Sequence, residues 1–235
     1  MNTASVIVTG AFGALGQVVA RTLVQRGARV ALLDAAPTVP PALAEAFASQ
    51  TLMPGIDLSK YAATDAAIAH VAAHWGALDA LVNIAGGFRW ETIEGGDPAT
   101  WDLMHTINLK TALHACKSAL PFLLKRAAQS GRARVVNIGA GAAGKAAAGM
   151  GAYAASKAGV MRLTEALSEE TKDRGLTVNA ILPGIIDTPT NRKDMPDADT
   201  TRWVAPEAIA DVVAFLLSDA ARSITGAGIP VLGRL

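Results

Sequence analysis

Tyr153 and Lys157 are the two residues of this sequence whose types and spacing best suit catalysis. They lie four positions apart, so at the start of a helix their side chains would share one face. A free phenol has a pKa of about 10 and is a poor acid–base catalyst at neutral pH. A nearby ammonium favours the phenolate, which predicts that Lys157 lowers the pKa of Tyr153 and activates it for proton transfer. The alternative is a Tyr and a Lys on an ordinary surface helix.

The segment that leads to this pair, VVNIGAGAAGKAAAGMGAYAASK, is nearly all Gly, Ala and short aliphatic residues. Between Asn137 and Tyr153 the one polar side chain is that of Lys145. Small residues let a ligand approach the backbone closely. The segment is therefore predicted to form a backbone surface that a bound ligand contacts closely.

A second candidate group follows the first predicted strand, in the sequence VTGAFGALG. Here Gly10, Gly13 and Gly16 would allow a tight turn, close approach of a pyrophosphate, and packing of the next helix against the sheet. The amino end of that helix would direct backbone N–H groups at the phosphates. The spacing differs from GxGxxG, and a purely structural turn is the alternative.

Asp34 ends the second predicted strand, where an acid of a dinucleotide site binds the adenosine ribose hydroxyls. Its carboxylate would repel a 2′-phosphate, and the next residues, Ala35 and Ala36, offer no Arg to hold one. The sequence therefore favours NAD, with NADH preferred over NADPH. Asp57 is placed to meet an adenine amino group, and the small residues of NIAGG let backbone approach a flat ligand. Ordinary strand-end and turn chemistry is the alternative for each.

Apolar strand-like runs alternate with Ala-rich helical runs along the chain. Strands are predicted at 5–9, 29–34, 51–56, 80–83, 134–138, 177–182 and 229–232, and helices at 14–26, 61–75, 99–127, 153–174 and 206–218. Continuous β-branched runs separated by helices indicate a parallel sheet covered on both faces. The fold class predicted is thus α/β, a single doubly wound Rossmann-type domain over 1–235 with about seven parallel strands. Ligands of such sheets bind at the carboxyl ends of the strands.

Composition narrows the possible partners. The chain has 235 residues, 51% hydrophobic residues and a net charge of +1, which argues against a nucleic-acid footprint. No apolar run reaches the ~18–20 residues that span a bilayer, and the amino terminus lacks a signal-peptide pattern, so we expect no membrane partner and a cytoplasmic location. The single cysteine, Cys116, is expected to be a buried packing thiol. We expect no metal site, a small-molecule substrate, and a homodimer or homotetramer.

Taken in order, TGAFGALG, Asp34, NIAG, INLKTA, YAASK and PGIIDTP resemble the short-chain dehydrogenase/reductase family over essentially the whole chain. The resemblance implies an NAD-dependent oxidoreductase that passes hydride between nicotinamide and a substrate carbon. It makes Tyr153 the general acid–base and Lys157 the ligand of the ribose that also depresses the tyrosine pKa. It makes Asn108 the holder of a water in the proton relay. The cofactor-binding residues that we predict are Thr9, Gly10, Phe12, Gly13, Leu15, Gly16, Asp34, Asp57, Leu58, Asn83, Ala85, Gly86, Tyr153, Lys157, Pro183, Gly184, Ile186 and Thr188.

One residue departs from the family pattern. The family usually places a Ser thirteen residues before the Tyr to polarise the substrate oxygen, and this chain has Ala140 there. Three explanations remain open: a catalytically silent NAD-binding protein, a substrate hydroxyl or water that replaces the Ser, or a reaction that needs less polarisation. Ala140 and the stretch DTPTNRKDMPDAD are similar to dihydropteridine reductases, which lack the Ser and reduce a quinonoid substrate with NADH.

The loops after the predicted strands supply candidate substrate contacts. A substrate lid is predicted around 187–205, and aromatic, thioether and Arg side chains near a cleft would suit a planar, partly polar substrate. The candidates are Ala140, Phe88, Trp90, Arg192, Met195 and Trp203. The alternative is that Trp203 anchors the lid to the core and that Arg192 is a solvated charge.

Overall fold

The computed structural model of the protein describes residues 4–234. Seven parallel strands form one sheet in the order β3-β2-β1-β4-β5-β6-β7. The strands are β1 (Ser5–Thr9), β2 (Arg29–Leu33), β3 (Thr51–Met53), β4 (Ala80–Asn83), β5 (Ala133–Ile138), β6 (Leu176–Pro183) and β7 (Gly228–Val231). The prediction of a doubly wound parallel α/β fold is confirmed. The strand order reverses between β1 and β4, which places a ligand crevice at the carboxyl ends of those two strands.

Within residues 4–234, eight α-helices connect or follow the strands. They are α1 (Ala14–Gln25), α2 (Pro41–Ala46), α3 (Tyr61–Trp75), α4 (Pro98–Met104), α5 (Thr111–Ser130), α6 (Gly151–Thr171), α7 (Pro189–Asp194) and α8 (Pro206–Leu216). The short helices α2 and α7 were not predicted, because one to two turns carry too little apolar periodicity to stand out. The single helix predicted at 99–127 is instead α4 and α5 joined by a π-helical turn, His105–Lys110.

The core has two halves, one on each face of the sheet, because strand side chains alternate between the faces. On one face, Val6 and Val8 of β1 pack with side chains of α1 and α8. On the other face, Ile7 packs with side chains of α3 and α5. Burial on both faces explains why β1 reads as the continuous apolar run SVIVT rather than an alternating one. Among the described residues no helix combines the length and the apolar character needed to cross a bilayer.

Candidate functional site

Tyr153 and Lys157 lie in the first two turns of α6, one turn apart. Lys157 is buried, and its Nζ donates a hydrogen bond of 2.9 Å to the backbone oxygen of Ile138 at the end of β5. The same Nζ lies 5.9 Å from the centroid of the Tyr153 ring. The helix therefore brings the pair together at the carboxyl edge of the sheet, as the sequence predicts.

The electrostatics of the pair differ from the prediction. Burial raises the pKa of Tyr153 to about 12 and lowers the pKa of Lys157 to about 8. Loss of solvent around the phenol is the cause of the rise, so the net pKa of Tyr153 lies above its ordinary value, and the lowering expected from Lys157 stays a prediction. At neutral pH the phenol is therefore protonated, and Lys157 is close to its titration range.

Asn108 lies in the π-helical turn between α4 and α5, a kind of irregularity that often occurs at functional sites. Its side chain is buried and holds the loop after β4. Its Oδ1 accepts from the N–H of Gly87 (3.0 Å), and its Nδ2 donates to the oxygen of Gly87 (3.1 Å) and to Ser156 Oγ (3.1 Å). A Cβ on Gly86 would lie 2.4 Å from Asn108 Oδ1 and 3.5 Å from Lys157 Nζ. Asn108 and Gly86 thus lie directly beside the pair, and the relay role of Asn108 stays a prediction.

The glycine turn after β1 lies against the loop after β4. Gly10 has a φ of +62°, and a Cβ there would be 2.7 Å from the Cα of Ala85. A Cβ on Gly16 would be 2.2 Å from the oxygen of Gly10, so α1 can approach the turn only without a side chain there. Helix α1 begins after Gly13, and no side chain among residues 4–234 caps its amino end. The first N–H groups of α1 are therefore directed at the crevice.

Asp34 follows β2 and is held in place by two backbone donors. The N–H of Phe12 donates to Oδ2 and the N–H of Ala36 donates to Oδ1, each at 2.9 Å. The first of these donors belongs to the glycine turn, so the carboxylate lies at the edge of that turn. Phe12 and Leu15 themselves are buried in the core beneath it.

The loop after β3 contains the two residues predicted to meet the adenine. Asp57 is exposed, and hydrogen bonds from the hydroxyl and then the backbone N–H of Ser59 hold its pKa below the usual range. Leu58 is buried, and its backbone oxygen lies 2.9 Å from Nδ1 of His114 on α5. The contact with His114 was not predicted, since histidines within a helix give no signal of what they face.

The side chains of Thr9 and Asn83 point into a buried polar cluster behind the crevice. Asn83 Nδ2 donates to Asn137 Oδ1 (2.9 Å), and Asn137 Nδ2 donates to Thr164 Oγ1 on α6 (2.9 Å). Thr9 Oγ1 accepts from the N–H groups of the two residues that follow Asn83. Thr9 and Asn83 can therefore reach a ligand only through their backbone. Sequence reasoning missed Asn137 and Thr164, although a lone Asn inside the apolar strand RVVNI was a usable signal.

Cys116 lies beside this cluster and accepts from Asn83 Nδ2 at 3.3 Å. It is buried, as the sequence predicts, and burial raises the pKa of its thiol to about 12. A thiol with so high a pKa carries almost no thiolate at neutral pH and does not serve as a nucleophile.

The segment after β6 supplies the residues predicted to border the nicotinamide. Pro183 ends the strand, and a Cβ on Gly184 would lie 2.7 Å from the oxygen of Leu232, so the chain passes close to the end of β7. Ile186 is half-buried, and Thr188 caps α7 through a bond from the N–H of Asn191 to its Oγ1 (3.2 Å). These residues lie in the segment that joins β6 to α7, and their contact with a nicotinamide stays a prediction.

Three of the candidate substrate residues lie in the segments that follow β4 and β5, and one of them, Phe88, contacts Tyr153. The Phe88 ring meets the Tyr153 ring edge to face, with centroids 5.0 Å apart and an interplanar angle of 85°. Trp90 Nε1 donates to the oxygen of Ala148 at 3.1 Å, on the segment that leads into α6. Ala140 is buried two residues beyond the end of β5, where it presents a methyl group.

The other three candidates lie in the segment 187–205. Arg192 is exposed and forms a two-bond ion pair with Asp187, at 2.5 and 2.7 Å. Trp203 is buried, which favours the alternative that it anchors the segment to the core. Met195 is half-buried at the end of α7. None of these three forms a hydrogen bond, an ion pair or an aromatic contact with Tyr153 or Lys157.

Comparison with known proteins gives the family. The family model described as short chain dehydrogenase matches residues 4–199. The chain is 32% identical to a D-beta-hydroxybutyrate dehydrogenase of Rhizobium meliloti (strain 1021), over 90% of this chain and 82% of that protein. Among solved structures, carveol dehydrogenase from Mycobacterium avium in complex with NAD has a TM-score of 0.87 at 26% identity, covering 99% of this chain and 97% of that chain. A 3-ketoacyl-(acyl-carrier-protein) reductase from Brucella melitensis complexed with NADH has a TM-score of 0.86 at 25% identity, covering 99% and 98%.

The chain therefore belongs to the short-chain dehydrogenase family, and the prediction of an oxidoreductase of this type is confirmed.

Proposed function

Because the chain is a short-chain dehydrogenase, we propose that it transfers hydride between NAD(H) and a carbonyl or alcohol substrate, with Tyr153 as the acid–base. The observation that carries this proposal is the arrangement at the end of β5. There the Lys157 ammonium is bonded to the oxygen of Ile138, one turn from the Tyr153 phenol and beside the glycine turn's crevice. The solved relatives whose names include NAD or NADH support the cofactor.

The residues of the crevice fit a nicotinamide dinucleotide. A Cβ at Gly10 or Gly16 would meet backbone at 2.7 or 2.2 Å, so neither glycine can be replaced without opening the turn. The uncapped amino end of α1 offers N–H groups and a positive dipole end to a pyrophosphate. The fixed carboxylate of Asp34 offers two oxygens to ribose hydroxyls and repels a 2′-phosphate, so we propose a preference for NADH over NADPH.

In this proposal the protein's own residues transfer the proton and orient the substrate and the cofactor. When bound, the nicotinamide supplies or accepts the hydride. The Tyr153 phenol carries its proton at neutral pH and can donate it to a carbonyl oxygen during reduction, although burial raises its pKa and by itself makes it a weaker acid. Lys157, held by Ile138, lies where its ammonium stabilises the tyrosinate left after that donation. In oxidation the same tyrosinate would accept the alcohol proton.

The buried methyl of Ala140 favours a second, narrower candidate. Loss of one oxyanion donor costs about 2.7–4 kcal/mol of transition-state stabilisation where the chemistry depends on it. A quinonoid substrate is electrophilic through its whole conjugated ring and needs less help, as in the dihydropteridine reductases that the sequence resembles regionally. Under this candidate, Ala140→Ser leaves the turnover of quinonoid acceptors within twofold. A rise of about tenfold or more in the reduction of simple ketones only would instead mark ordinary carbonyl chemistry with one missing donor.

We include in the proposal a homodimer or homotetramer and a cytoplasmic location. Three large apolar side chains along α4 and α5 support self-association, because Trp101, Leu103 and Leu113 are 44%, 40% and 42% exposed. Light scattering of the purified protein measures the assembly state directly, and a monomer at micromolar concentration would contradict this part.

The proposed hydride transfer is tested with NADH that carries deuterium at C4 and a panel of ketones, dicarbonyls and quinonoid compounds. We expect at least one product to gain one mass unit at carbon, since hydride passes directly from the cofactor. If the protein binds NADH but transfers deuterium to no compound of the panel, the catalytically silent binder becomes the better account.

A further inference from the structure

The Phe88 ring is the aromatic neighbour of the Tyr153 phenol. The two rings meet edge to face with centroids 5.0 Å apart, which is a favoured geometry for a pair of aromatic rings. Phe88 nevertheless lies in the irregular loop after β4 and is 51% exposed, so its position is not fixed by core packing. Something else must hold the ring against the tyrosine.

The beginning of this loop is fixed by Asn108. The N–H and the oxygen of Gly87 both bond to the Asn108 amide, at 3.0 and 3.1 Å. A Cβ on Gly87 would lie 2.9 Å from the Ile107 side chain, so the backbone rests directly on the π-helical turn. The residue immediately before Phe88 is therefore immobilised.

The end of the loop is fixed on the segment that leads into α6. Trp90 Nε1 donates to the oxygen of Ala148 (3.1 Å), and the N–H of Glu91 donates to the oxygen of Gly149 (2.9 Å). Gly149 has a φ of +73°, and a Cβ there would lie 2.1 Å from Trp90 Cε2. The indole thus packs against a position where any side chain would be strained and would displace it. We call these three contacts the Trp90 clip.

We propose that the Trp90 clip positions Phe88 against Tyr153 and so holds the phenol oriented and shielded from water for proton transfer. Trp90 and Gly149 are positioning residues, since they act through Phe88. The inference rests on the proposed role of Tyr153 and adds the residues that prepare it.

The chemical reason lies in Ala140. In the family pattern a serine hydroxyl at this position shares the substrate oxygen with the tyrosine, and here a buried methyl takes its place. The orientation that a polar partner would give is supplied by packing against the Phe88 ring. The charged neighbour of the phenol is Lys157, at 5.9 Å from the ring centroid, and the loop itself adds Arg89 next to Phe88.

The composition of the chain allows a direct measurement on this phenol. There are two tyrosines, so in a Tyr61→Phe background Tyr153 is the only one, and the ζ-carbon NMR signal of labelled tyrosine reports its ionisation without any turnover. In that background we would compare Trp90→Phe, which keeps a ring but loses the Nε1 donor, and Gly149→Ala, which displaces the indole. Ile93→Ala is the matched control, because Ile93 belongs to the same loop and is 80% exposed.

We expect Trp90→Phe and Gly149→Ala to lower the Tyr153 pKa towards its ordinary value by at least half a unit. Both should reduce kcat about tenfold, because small misplacements of a reacting group cost that much or more, while the Kd for NADH stays within twofold. Ile93→Ala should change neither quantity. If Gly149→Ala does not fold, Trp90→Phe decides the question alone.

The proposal is overturned if the Tyr153 pKa in Trp90→Phe stays within 0.2 units of its value in the background. It is also overturned if the Kd for NADH weakens as much as kcat falls, since the clip would then be merely structural. A shifted pKa in a protein that reduces none of the compounds tested would support the clip and count against the proposed function, so the two failures are distinguishable.

Discussion

Replacement of Asp34 by Asn should change the cofactor preference of this enzyme. The carboxylate is fixed by the N–H groups of Phe12 and Ala36, each at 2.9 Å, so it has no freedom to turn away from a phosphate on the adenosine ribose. Asp34→Asn removes the negative charge and keeps the size of the side chain and one acceptor oxygen.

The size of the effect follows from the repulsion that is removed. Two like charges 4–6 Å apart repel by about 3–4 kcal/mol at an effective dielectric constant of ~20. Solvent at the mouth of the crevice and salt reduce this value, so about 1.4–2.8 kcal/mol remains, which corresponds to a factor of about 10 to 100. We therefore expect the ratio of the NADPH Kd to the NADH Kd to fall at least tenfold in Asp34→Asn.

The assay is a titration of nicotinamide fluorescence with NADH and with NADPH at fixed ionic strength. Asp57→Asn is the matched control, because it removes a carboxylate from the neighbouring loop, where an effect on the 2′-phosphate is not expected. Two results would refute the reasoning: a wild-type protein that binds NADPH more tightly than NADH, or a ratio that Asp34→Asn changes by less than twofold.

Two further predictions concern the residues around the catalytic pair. Gly86→Ala should lower the free energy of unfolding by about 1–3 kcal/mol and reduce kcat, because the new Cβ would lie 2.4 Å from Asn108 Oδ1. Chemical denaturation measures the loss of stability, and the control Gly144→Ala, whose Cβ would lie 3.9 Å from the oxygen of Gly141, should change it little. Lys157→Met should alter the pH dependence of stability. The pKa of Lys157 is about 8 in the folded protein, which is below its value in the unfolded chain. Between these two pKa values the unfolded chain binds more protons, so the free energy of unfolding of the wild type should rise with increasing pH relative to that of the variant. A difference in the free energy of unfolding between wild type and variant that stays constant from pH 7 to pH 10 would contradict this.

The fold could be predicted from the sequence because the two patterns that indicate it, apolar strand runs and a glycine-rich turn, each lie within a short stretch of the chain. Continuous runs such as SVIVT and RVALL mark strands that are buried on both faces, and the glycines of VTGAFGALG mark the turn at the crevice. The spacing of four residues, also a local signal, placed Tyr153 and Lys157 on one helix face. The features that sequence reasoning missed are short elements or contacts between residues distant in sequence. The short elements are the helices α2 and α7 and the π-helical turn that contains Asn108.

The direction of the tyrosine pKa shift could not be obtained from the spacing of the two residues. A Tyr and a Lys four residues apart suggest attraction between the tyrosinate and the ammonium, yet the shift depends on how much solvent each group loses. Residues distant in sequence contact each group, such as Phe88, which precedes Tyr153 by 65 positions, and Ile138 at the end of β5, which accepts the hydrogen bond of Lys157. Likewise, Thr9 and Asn83 lie at strand ends, where the sequence predicts contact with the cofactor, but their side chains point into the polar cluster behind the crevice.

The central claim is that the Tyr153 phenol transfers the proton, and the most direct measurement compares wild type with Tyr153→Phe in a single turnover. With NADH saturating and a substrate that wild type reduces, the decay of NADH absorbance gives the rate of the chemical step. We predict that the rate falls at least 100-fold in Tyr153→Phe while the Kd for NADH stays within threefold, because one phenolic hydroxyl is removed and a general acid contributes about 10²–10⁴-fold. A Tyr153→Phe rate within threefold of wild type would contradict the account.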